Sequence, residues 1–313
     1  MIRVVPEFYP AFHCTASACR HSCCVGWEVD VDEDTLAQYR QVSGPFGRRL
    51  AAGISAGASP HFRLDAQERC PFLNGDNLCD IILTLGEGAL CQICADHPRF
   101  RNWFPDRVEE GLGLCCEEAA RLLLTCRHPV RFLSGDWPGE ELEAGEEYLS
   151  LLRQRDRVLE CLQNRGKPLQ SRICEVFSLH GIQPRSQPFE RDLELLLSLE
   201  ILEPGWRSAL EGLQSISRSG WDGAMEQDGE HLLVYLVYRY YLSWGLERGD
   251  QEFPLRFGLF SLRLLAALRQ MTLDEAGELT LADRVEWLRR WSAELEYSEE
   301  NLERLAEYFV LII

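Results

Sequence analysis

Positive charge is scarce in this sequence of 313 residues. There are 32 basic side chains against 50 acidic ones, and Lys167 is the single lysine among them. The formal net charge of −18 opposes non-specific binding to nucleic acid or to an anionic membrane surface, because its long-range field repels phosphate. The acidic residues are spread along the chain and form no acidic tail. We therefore expect neither nucleic acid nor a membrane among the partners.

Long apolar runs are absent as well. No stretch reaches the roughly 18 residues that a membrane span requires, and the most apolar candidate, 232–246, is interrupted by Arg239. The opening Met1-Ile-Arg-Val-Val-Pro-Glu7 lacks the apolar segment of a secretory signal. These features predict a soluble, cytoplasmic protein. Hydrophobic residues make up 46% of the chain, which is enough for a sizeable core.

Cysteine, by contrast, is abundant, and 11 of the 13 cysteines lie between Cys14 and Cys126. In a chain without an export signal, such a density is more typical of metal or redox chemistry than of disulfides. The cysteines of the candidate site fall into four groups: Cys14, Cys19, Cys23 and Cys24; Cys70 and Cys79, on either side of the turn signal Asn74-Gly75; Cys91 and Cys94, followed by His97-Pro98-Arg99; and Cys115-Cys116.

Thiolates are suitable ligands for both zinc and iron–sulfur clusters, and short spacings let one loop present two sulfurs to one centre. Only Cys91 and Cys94 have the CxxC spacing typical of structural zinc, and the ferredoxin spacings are absent. The CxxxCxxC pattern of radical S-adenosylmethionine enzymes also fails, since Gly26 stands where its third cysteine would be. The residues themselves leave an iron–sulfur cluster, zinc, disulfides and buried free thiols open.

The periodicity of apolar residues changes along the chain. The N-terminal part predicts short elements: a strand at 61–65, an extended segment at 107–114, a helix capped by Asp32 and a helix at 117–125. Later segments have the 3.6-residue period of helices, at about 148–162, 193–202, 231–246, 259–270, 281–294 and from 298 to the end, with linkers such as Gln183-Pro184 between them. We predict a mostly α protein with a minor β component. In it, a cysteine-rich metal-binding module with short strands (1–130) packs on a helical C-terminal domain (131–313).

Several motifs resemble those of the flagellin lysine-N-methylase family. The cysteine motifs are Tyr9-Pro-Ala-Phe-His-Cys14-Thr-Ala-Ser-Ala-Cys19-Arg-His-Ser-Cys23-Cys24-Val-Gly-Trp27, Cys70-Pro-Phe-Leu-Asn74 with Leu78-Cys79-Asp-Ile81, Leu90-Cys91-Gln-Ile-Cys94-Ala-Asp-His-Pro98-Arg99, and Cys116-Glu-Glu-Ala-Ala-Arg121, where Glu117 replaces the usual proline. The helical blocks are Leu233–Tyr241 and Glu294–Leu302, with Tyr297 where histidine is common. The first three cysteine motifs are shared with the wider family of zinc- or iron-chelating cysteine clusters.

The resemblance implies a cytoplasmic bacterial enzyme that transfers methyl groups from S-adenosylmethionine to lysine side chains of flagellin or a similar protein, with a bound [4Fe–4S] cluster. Zinc is the alternative metal. The implied metal ligands are Cys14, Cys19, Cys23, Cys24, Cys70, Cys79, Cys94 and Cys116, with Cys91 as a further candidate. Two rival interpretations are a non-catalytic binding protein stabilised by zinc thiolate sites, and an iron–sulfur oxidoreductase or electron carrier. The oligomeric state stays open.

The catalytic residues and the cofactor site have no clear sequence signal. Gly111-Leu-Gly113 is the nearest approach to a glycine-rich nucleotide loop. Tyr235, Tyr238 and Arg239 are candidate cofactor-binding residues, because aromatic faces attract a sulfonium or ammonium group, although we prefer a bundle helix with tyrosine hydroxyls at its rim. The remaining polar candidates are Glu294, Glu296, Glu299, Glu300 and Asn301, for which we prefer a solvated helix face, and His13, His21, His97 and Arg99 beside the cysteines.

Overall fold

The computed structural model describes residues 1–57, 59–182, 188–215 and 223–311. The chain forms two compact units, and neither is continuous in sequence. The cysteine-rich unit consists of His13–Phe100 with Cys116–Glu118, and the helical unit consists of Met1–Phe12, Arg101–Cys115 and Ala119–Ile313. This division differs from the predicted boundary at residue 130, because the N-terminal strand and the segment after Phe100 belong to the helical unit.

The cysteine-rich unit contains four short helices: α1 (Glu33–Gln41), α2 (Gly44–Gly53), α3 (Asp80–Leu85) and α4 (Gln92–Asp96). As predicted, Asp32 caps α1, since its carboxylate accepts the backbone N–H of Thr35 at 2.9 Å. The predicted turn is also present, because the N–H of Asn74 donates to the carbonyl of Leu78. The strand expected at 61–65 is wrong: His61 and Phe62 form only isolated bridges.

A single hydrophobic core holds these helices and turns together. Leu50, Phe62, Phe72 and Ile81 are at most 2% exposed and lie at its centre. Cys91 is buried within this core, and Cys70, Cys79 and Cys94 pack against it. The core therefore fixes the positions of four cysteines that come from two separate sequence motifs.

One four-stranded sheet lies in the N-terminal part of the chain, with the order β2-β3-β1-β4. Its strands are β1 (Ile2–Pro6), β2 (Arg99–Trp103), β3 (Arg107–Leu112) and β4 (Phe132–Asp136). β1 runs parallel to β3, with Ile2 opposite Arg107, and antiparallel to β4, with Val4 opposite Ser134. The extended segment predicted at 107–114 is confirmed as β3, whereas β1 and β4 were not predicted.

Helices make up most of the described residues, which confirms the mostly α fold class with a minor β component. The later helices are α5 (Glu117–Thr125), α6 (Glu146–Leu162), α7 (Leu169–Leu179), α8 (Phe189–Ser198), α9 (Trp206–Gly212), α10 (Gly223–Arg248), α11 (Phe253–Ala276), α12 (Leu281–Trp291) and α13 (Glu299–Leu311). α10 is buried on nearly all sides and packs against α6 and α11. The predicted linker Gln183-Pro184 and residues 312–313 lie outside the described residues.

A π-helical turn, Ser292–Glu296, follows directly on α12. Turns of this kind are rare and occur frequently at functional sites. Here the turn places both Glu294 and Glu296 in the interior of the helical unit. Among the described residues, none of the helices combines the length and the apolar character that crossing a bilayer would require.

Candidate functional site

Four predicted ligands come together in what we call the first thiol group: Cys24, Cys70, Cys79 and Cys94. They are close enough to influence one another electrostatically, since the charge of Cys24 raises the pKa of each of the other three. The backbone N–H of Cys70 donates to the carbonyl of Cys24 at 2.8 Å, which joins two of the motifs directly. Cys91 is hydrogen-bonded through its thiol to Cys94.

The other four predicted ligands form the second thiol group: Cys14, Cys19, Cys23 and Cys116. A hydrogen bond with Cys24 raises the pKa of Cys23 most, and the charges of Cys14 and Cys116 add to this shift. Burial raises the pKa of Cys19, and the charge of Cys14 acts in the same direction. Glu117, next to Cys116, fastens this group, because its carboxylate accepts the backbone N–H and the side-chain Nε of Arg20 at 2.9 and 2.7 Å. The position where the family usually has proline therefore carries an ion pair in this chain.

The two thiol groups meet at Cys23 and Cys24, which are adjacent in sequence. A hydrogen bond from the Cys23 thiol lowers the pKa of Cys24 to about 7, and the nearby Arg69 acts in the same direction. Burial raises the pKa of Cys70 to about 12. Burial also raises the pKa of Cys79, although hydrogen bonds from the backbone N–H groups of Ile82 and Ile81 act to lower it. A bound cation would offset this burial cost by stabilising the thiolates.

The donor set fits a thiolate-ligated metal centre. All eight cysteines are free thiols, and each group supplies the four sulfurs that a [4Fe–4S] cluster requires. Among the described residues, no three of these sulfurs lie within 4.8 Å of one another, whereas the sulfurs on one zinc ion are about 3.8 Å apart, given Zn–S bonds of about 2.3 Å. Binding of zinc would thus require the thiols to move closer, while a cluster with one thiolate per iron accepts a wider spacing. The role of the eight residues as metal ligands stays a prediction.

The histidines beside the cysteines have different environments. Burial lowers the pKa of His97 to about 4, and its ring lies 5.9 Å from that of Trp27, measured between centroids. His97 is therefore neutral at physiological pH. His13 is exposed, His21 is half-buried, and the guanidinium of Arg99 donates to the carbonyl of Ala95 at 3.4 Å.

In the helical unit, Arg239 occupies the aromatic surroundings that the sequence suggested for a cofactor. Its guanidinium carbon lies 5.9, 5.1 and 5.0 Å from the ring centroids of Tyr235, Tyr240 and Tyr297. A guanidinium nitrogen is 3.5 Å from the carboxylate of Glu296. The guanidinium of Arg239 is therefore the cation that lies in these aromatic surroundings, where the sequence suggested that a sulfonium or ammonium group could bind.

Glu296 is the centre of this buried polar cluster. Its carboxylate accepts hydrogen bonds from the hydroxyls of Tyr235 at 3.0 Å, Tyr240 at 2.9 Å and Ser292 at 2.6 Å. Burial raises the pKa of both tyrosines, so their hydroxyls stay protonated and donate. The sequence favoured a bundle helix whose tyrosine hydroxyls lie at its rim. This prediction is wrong for Tyr235 and Tyr240, because their hydroxyls are buried. Ser292 was not a candidate from sequence, although it lies four residues before Glu296, a spacing at which side chains of a helix are neighbours.

Tyr238, the other tyrosine candidate, makes its hydrogen bonds outside this cluster. Its hydroxyl donates to the carbonyl oxygens of Val4 and Glu110, at 2.8 and 3.2 Å, and its ring stacks on Phe132 with centroids 4.6 Å apart. Tyr238 therefore joins α10 to the sheet. The structure gives it the packing role that we preferred over cofactor binding.

Glu294 and Asn301 are both buried, so a solvated helix face is the wrong interpretation for them, as it is for Glu296. Glu299 and Glu300 are exposed, as that interpretation requires. The Glu294 carboxylate accepts the backbone N–H groups of Leu202 and Glu203 at 3.0 and 2.7 Å. Burial nevertheless outweighs these bonds and raises its pKa to about 7.

We expect Glu294 to make stability depend on pH. Its pKa is near 4.5 in the unfolded chain and about 7 in the folded protein, so between pH 4.5 and 7 the folded state binds more protons. The free energy of unfolding therefore falls as pH rises through this range, by up to about 3 kcal/mol. Glu294→Gln removes this contribution and flattens the profile measured by urea unfolding at several pH values. The exposed Glu299→Gln is the matched control and keeps the wild-type slope. An unchanged slope in Glu294→Gln would contradict the assignment.

The ion pairs of two buried carboxylates on β3 had no sequence signal. Glu109 and Glu110 lie on β3 and are at most 1% exposed. Glu109 pairs with Arg155 at 2.6 Å, and Glu110 pairs with Arg3 and with Arg101, the latter at 2.7 Å. Their partners are up to 107 residues away in sequence, so no local pattern could identify them.

Two cavities formed by described residues differ in size and lining, and neither has a sequence motif for S-adenosylmethionine. An interior cavity of about 20 Å³ beside Asp228, Arg269 and Trp287 has room for about one water molecule. A surface cavity of about 270 Å³ in the cysteine-rich unit is lined by Asp30–Glu33, Ser59, Pro60, Gln92 and Ile93. Its acidic wall is suited to a cationic side chain rather than to an anion.

The fold and the site together define a mostly helical protein with a thiol-rich centre. The chain is 32% identical over 126 residues to the lysine-N-methylases of Salmonella typhimurium (strain LT2) and Salmonella choleraesuis, a match that covers 38% of this chain and 31% of each relative. It is 31% identical over 126 residues to the flagellar biosynthetic protein FliU of Salmonella muenchen, covering 75% of that protein. The chain therefore belongs to the lysine-N-methylase and FliU family.

The match spans less than a third of the length of the two lysine-N-methylases. No family model matches the chain. No solved protein structure matches it either.

Proposed function

We propose that this protein is an S-adenosylmethionine-dependent protein-lysine N-methyltransferase that acts on flagellin or a similar protein in the bacterial cytoplasm. The observation that carries the proposal is its kinship with lysine-N-methylases and FliU, in a chain whose eight motif cysteines assemble into two thiol groups. The acidic surface cavity and the net charge of −18 are further support, because both favour a lysine-bearing partner.

Methyl transfer to lysine requires a neutral amine aligned with the sulfonium methyl group. Since a free lysine has a pKa of about 10.4, the site has to remove its proton or its hydration. Alignment of two reactants is worth roughly 7–11 kcal/mol, so positioning supplies most of the expected rate. A [4Fe–4S] cluster, or zinc as the alternative, would bring positive charge to the thiols. The four cysteine side chains of one thiol group would hold it in place.

The direct test is methylation of recombinant flagellin by protein purified without oxygen. With S-adenosylmethionine present, we expect lysine-containing peptides to gain mass in steps of one methyl group, located by tandem mass spectrometry. Reactions without S-adenosylmethionine, and flagellin whose lysines are chemically blocked, are the controls and should show no gain. Unmodified flagellin after incubation with metal-loaded protein would contradict the proposal. Reversible bleaching by a reductant in such inactive protein would instead favour an electron carrier.

A further inference from the structure

Glu7, Cys126 and His128 bring three metal-binding atoms together in the helical unit, and none of them belongs to the eight predicted ligands. Glu7 follows β1, whereas Cys126 and His128 lie between α5 and β4. His128 Nδ1 is 3.2 Å from a carboxylate oxygen of Glu7 and 3.8 Å from Cys126 Sγ. All three ligand atoms lie within 4.8 Å of one another.

These separations suit a single zinc ion. Zinc binds sulfur at about 2.3 Å, histidine nitrogen at about 2.0–2.1 Å and carboxylate oxygen at about 2.0–2.2 Å, so neighbouring ligand atoms in a tetrahedral site are about 3.3–3.6 Å apart. The observed 3.2 and 3.8 Å require shifts of only a few tenths of an ångström. His128 is exposed, which leaves one side of the trio open to a water molecule as the fourth ligand.

The loop that carries two of the ligands is held by bonds from several directions. The amide of Gln227 donates to the carbonyl of Cys126 at 2.6 Å, and Arg165 donates to the carbonyl of Arg127 at 2.7 Å. The buried His231 has its Nε2 3.2 Å from the carbonyl oxygen of His128. The backbone N–H of Arg131 donates to the Glu7 carboxylate at 2.9 Å. The trio is therefore held in position before any ion binds.

We propose that Glu7, Cys126 and His128 form a zinc site with water as the fourth ligand. The charges balance, because a carboxylate and a thiolate together neutralise Zn²⁺ around a neutral imidazole. A bound zinc ion would link the end of β1, through Glu7, to the loop before β4, through Cys126 and His128.

The test follows the thiol of Cys126 alone, so that metal in the two thiol groups does not interfere. Protein purified without oxygen, with its other metal retained, is alkylated in the presence or absence of zinc chloride, and each cysteine peptide is quantified by mass spectrometry. With free zinc at about ten times its Kd, we expect Cys126 to react about tenfold more slowly. The exposed Cys174 is the internal control and should react at one rate throughout.

Variants of Glu7 and His128 show whether zinc protects the Cys126 thiol by binding to it or by making it less accessible to the reagent. We expect His128→Ala and the milder Glu7→Gln each to abolish most of the zinc protection while Cys174 is unaffected. Equal labelling of Cys126 with and without zinc in the unaltered protein would overturn the proposal. Protection that persists in both variants would overturn it too, because a zinc site cannot survive the loss of either ligand unchanged.

Discussion

Cys79→Ser removes about four iron atoms and four acid-labile sulfides per chain, the content of one [4Fe–4S] cluster. This is the result we expect when iron, sulfide and zinc are counted in protein purified without oxygen. Methylation of flagellin by the same preparation should fall below detection. The loss is expected because the Cys79 thiolate is one of the four ligands that this assignment gives to the cluster.

The first thiol group is the stronger candidate for the cluster because the core fixes it. Cys70, Cys79 and Cys94 pack against buried side chains of the cysteine-rich unit, and Cys24 is tied to Cys70 through the backbone. In the second thiol group, Cys14 and Cys23 are exposed. A half-buried set of thiols held by a core loses less conformational freedom on binding than an exposed set does, and it shields the cluster better from solvent.

Two matched variants make this result specific. Cys174→Ser changes an exposed cysteine of α7 and should retain the full iron content. Cys14→Ser changes an exposed member of the second thiol group and should retain the iron as well. Full iron content in Cys79→Ser would refute the assignment to the first thiol group, and so would an equal loss in Cys14→Ser. Zinc without iron or sulfide in the unaltered protein would refute the cluster itself.

Glu296→Ala lowers the free energy of unfolding by about 3–5 kcal/mol, the range expected when one partner of a buried charge pair is removed. The Arg239 guanidinium would lose its carboxylate partner at 3.5 Å. The hydroxyls of Tyr235, Tyr240 and Ser292 would lose a common acceptor. Urea unfolding followed by circular dichroism measures the change.

Further variants separate the effect of the Glu296 charge on stability from the effect of its hydrogen bonds. Glu296→Gln retains an acceptor oxygen without the charge, so we expect a smaller loss than in Glu296→Ala. Combining Glu296→Ala with Arg239→Met should cost less than the sum of the two single changes, because the uncompensated cation is then gone. Glu307→Ala, at an exposed position of α13, is the control and should stay within about 0.5 kcal/mol of the unaltered protein. An equally small effect in Glu296→Ala would contradict the buried cluster.

The sequence by itself determined the features that depend on neighbours a few residues apart. The cap at Asp32 requires only an acceptor three residues before the N–H of Thr35, and the turn at Asn74 requires only its own loop. The 3.6-residue period gave the positions of α6, α10 and most later helices. The density and spacing of the cysteines indicated a thiol centre, and their motifs indicated the family.

Tertiary structure alone decided which distant residues meet. β1 pairs with β3 about 105 residues further along the chain, so its short apolar run carried no local sign of a strand. Three further features also depend on contacts between distant parts of the chain. They are the division of eight cysteines into two groups, the burial of Glu294 and Glu296 at a π-helical turn, and the approach of Glu7 to Cys126 and His128. Such contacts depend on how the core closes, because side chains far apart in sequence acquire a fixed distance only when packing removes the freedom of the chain between them.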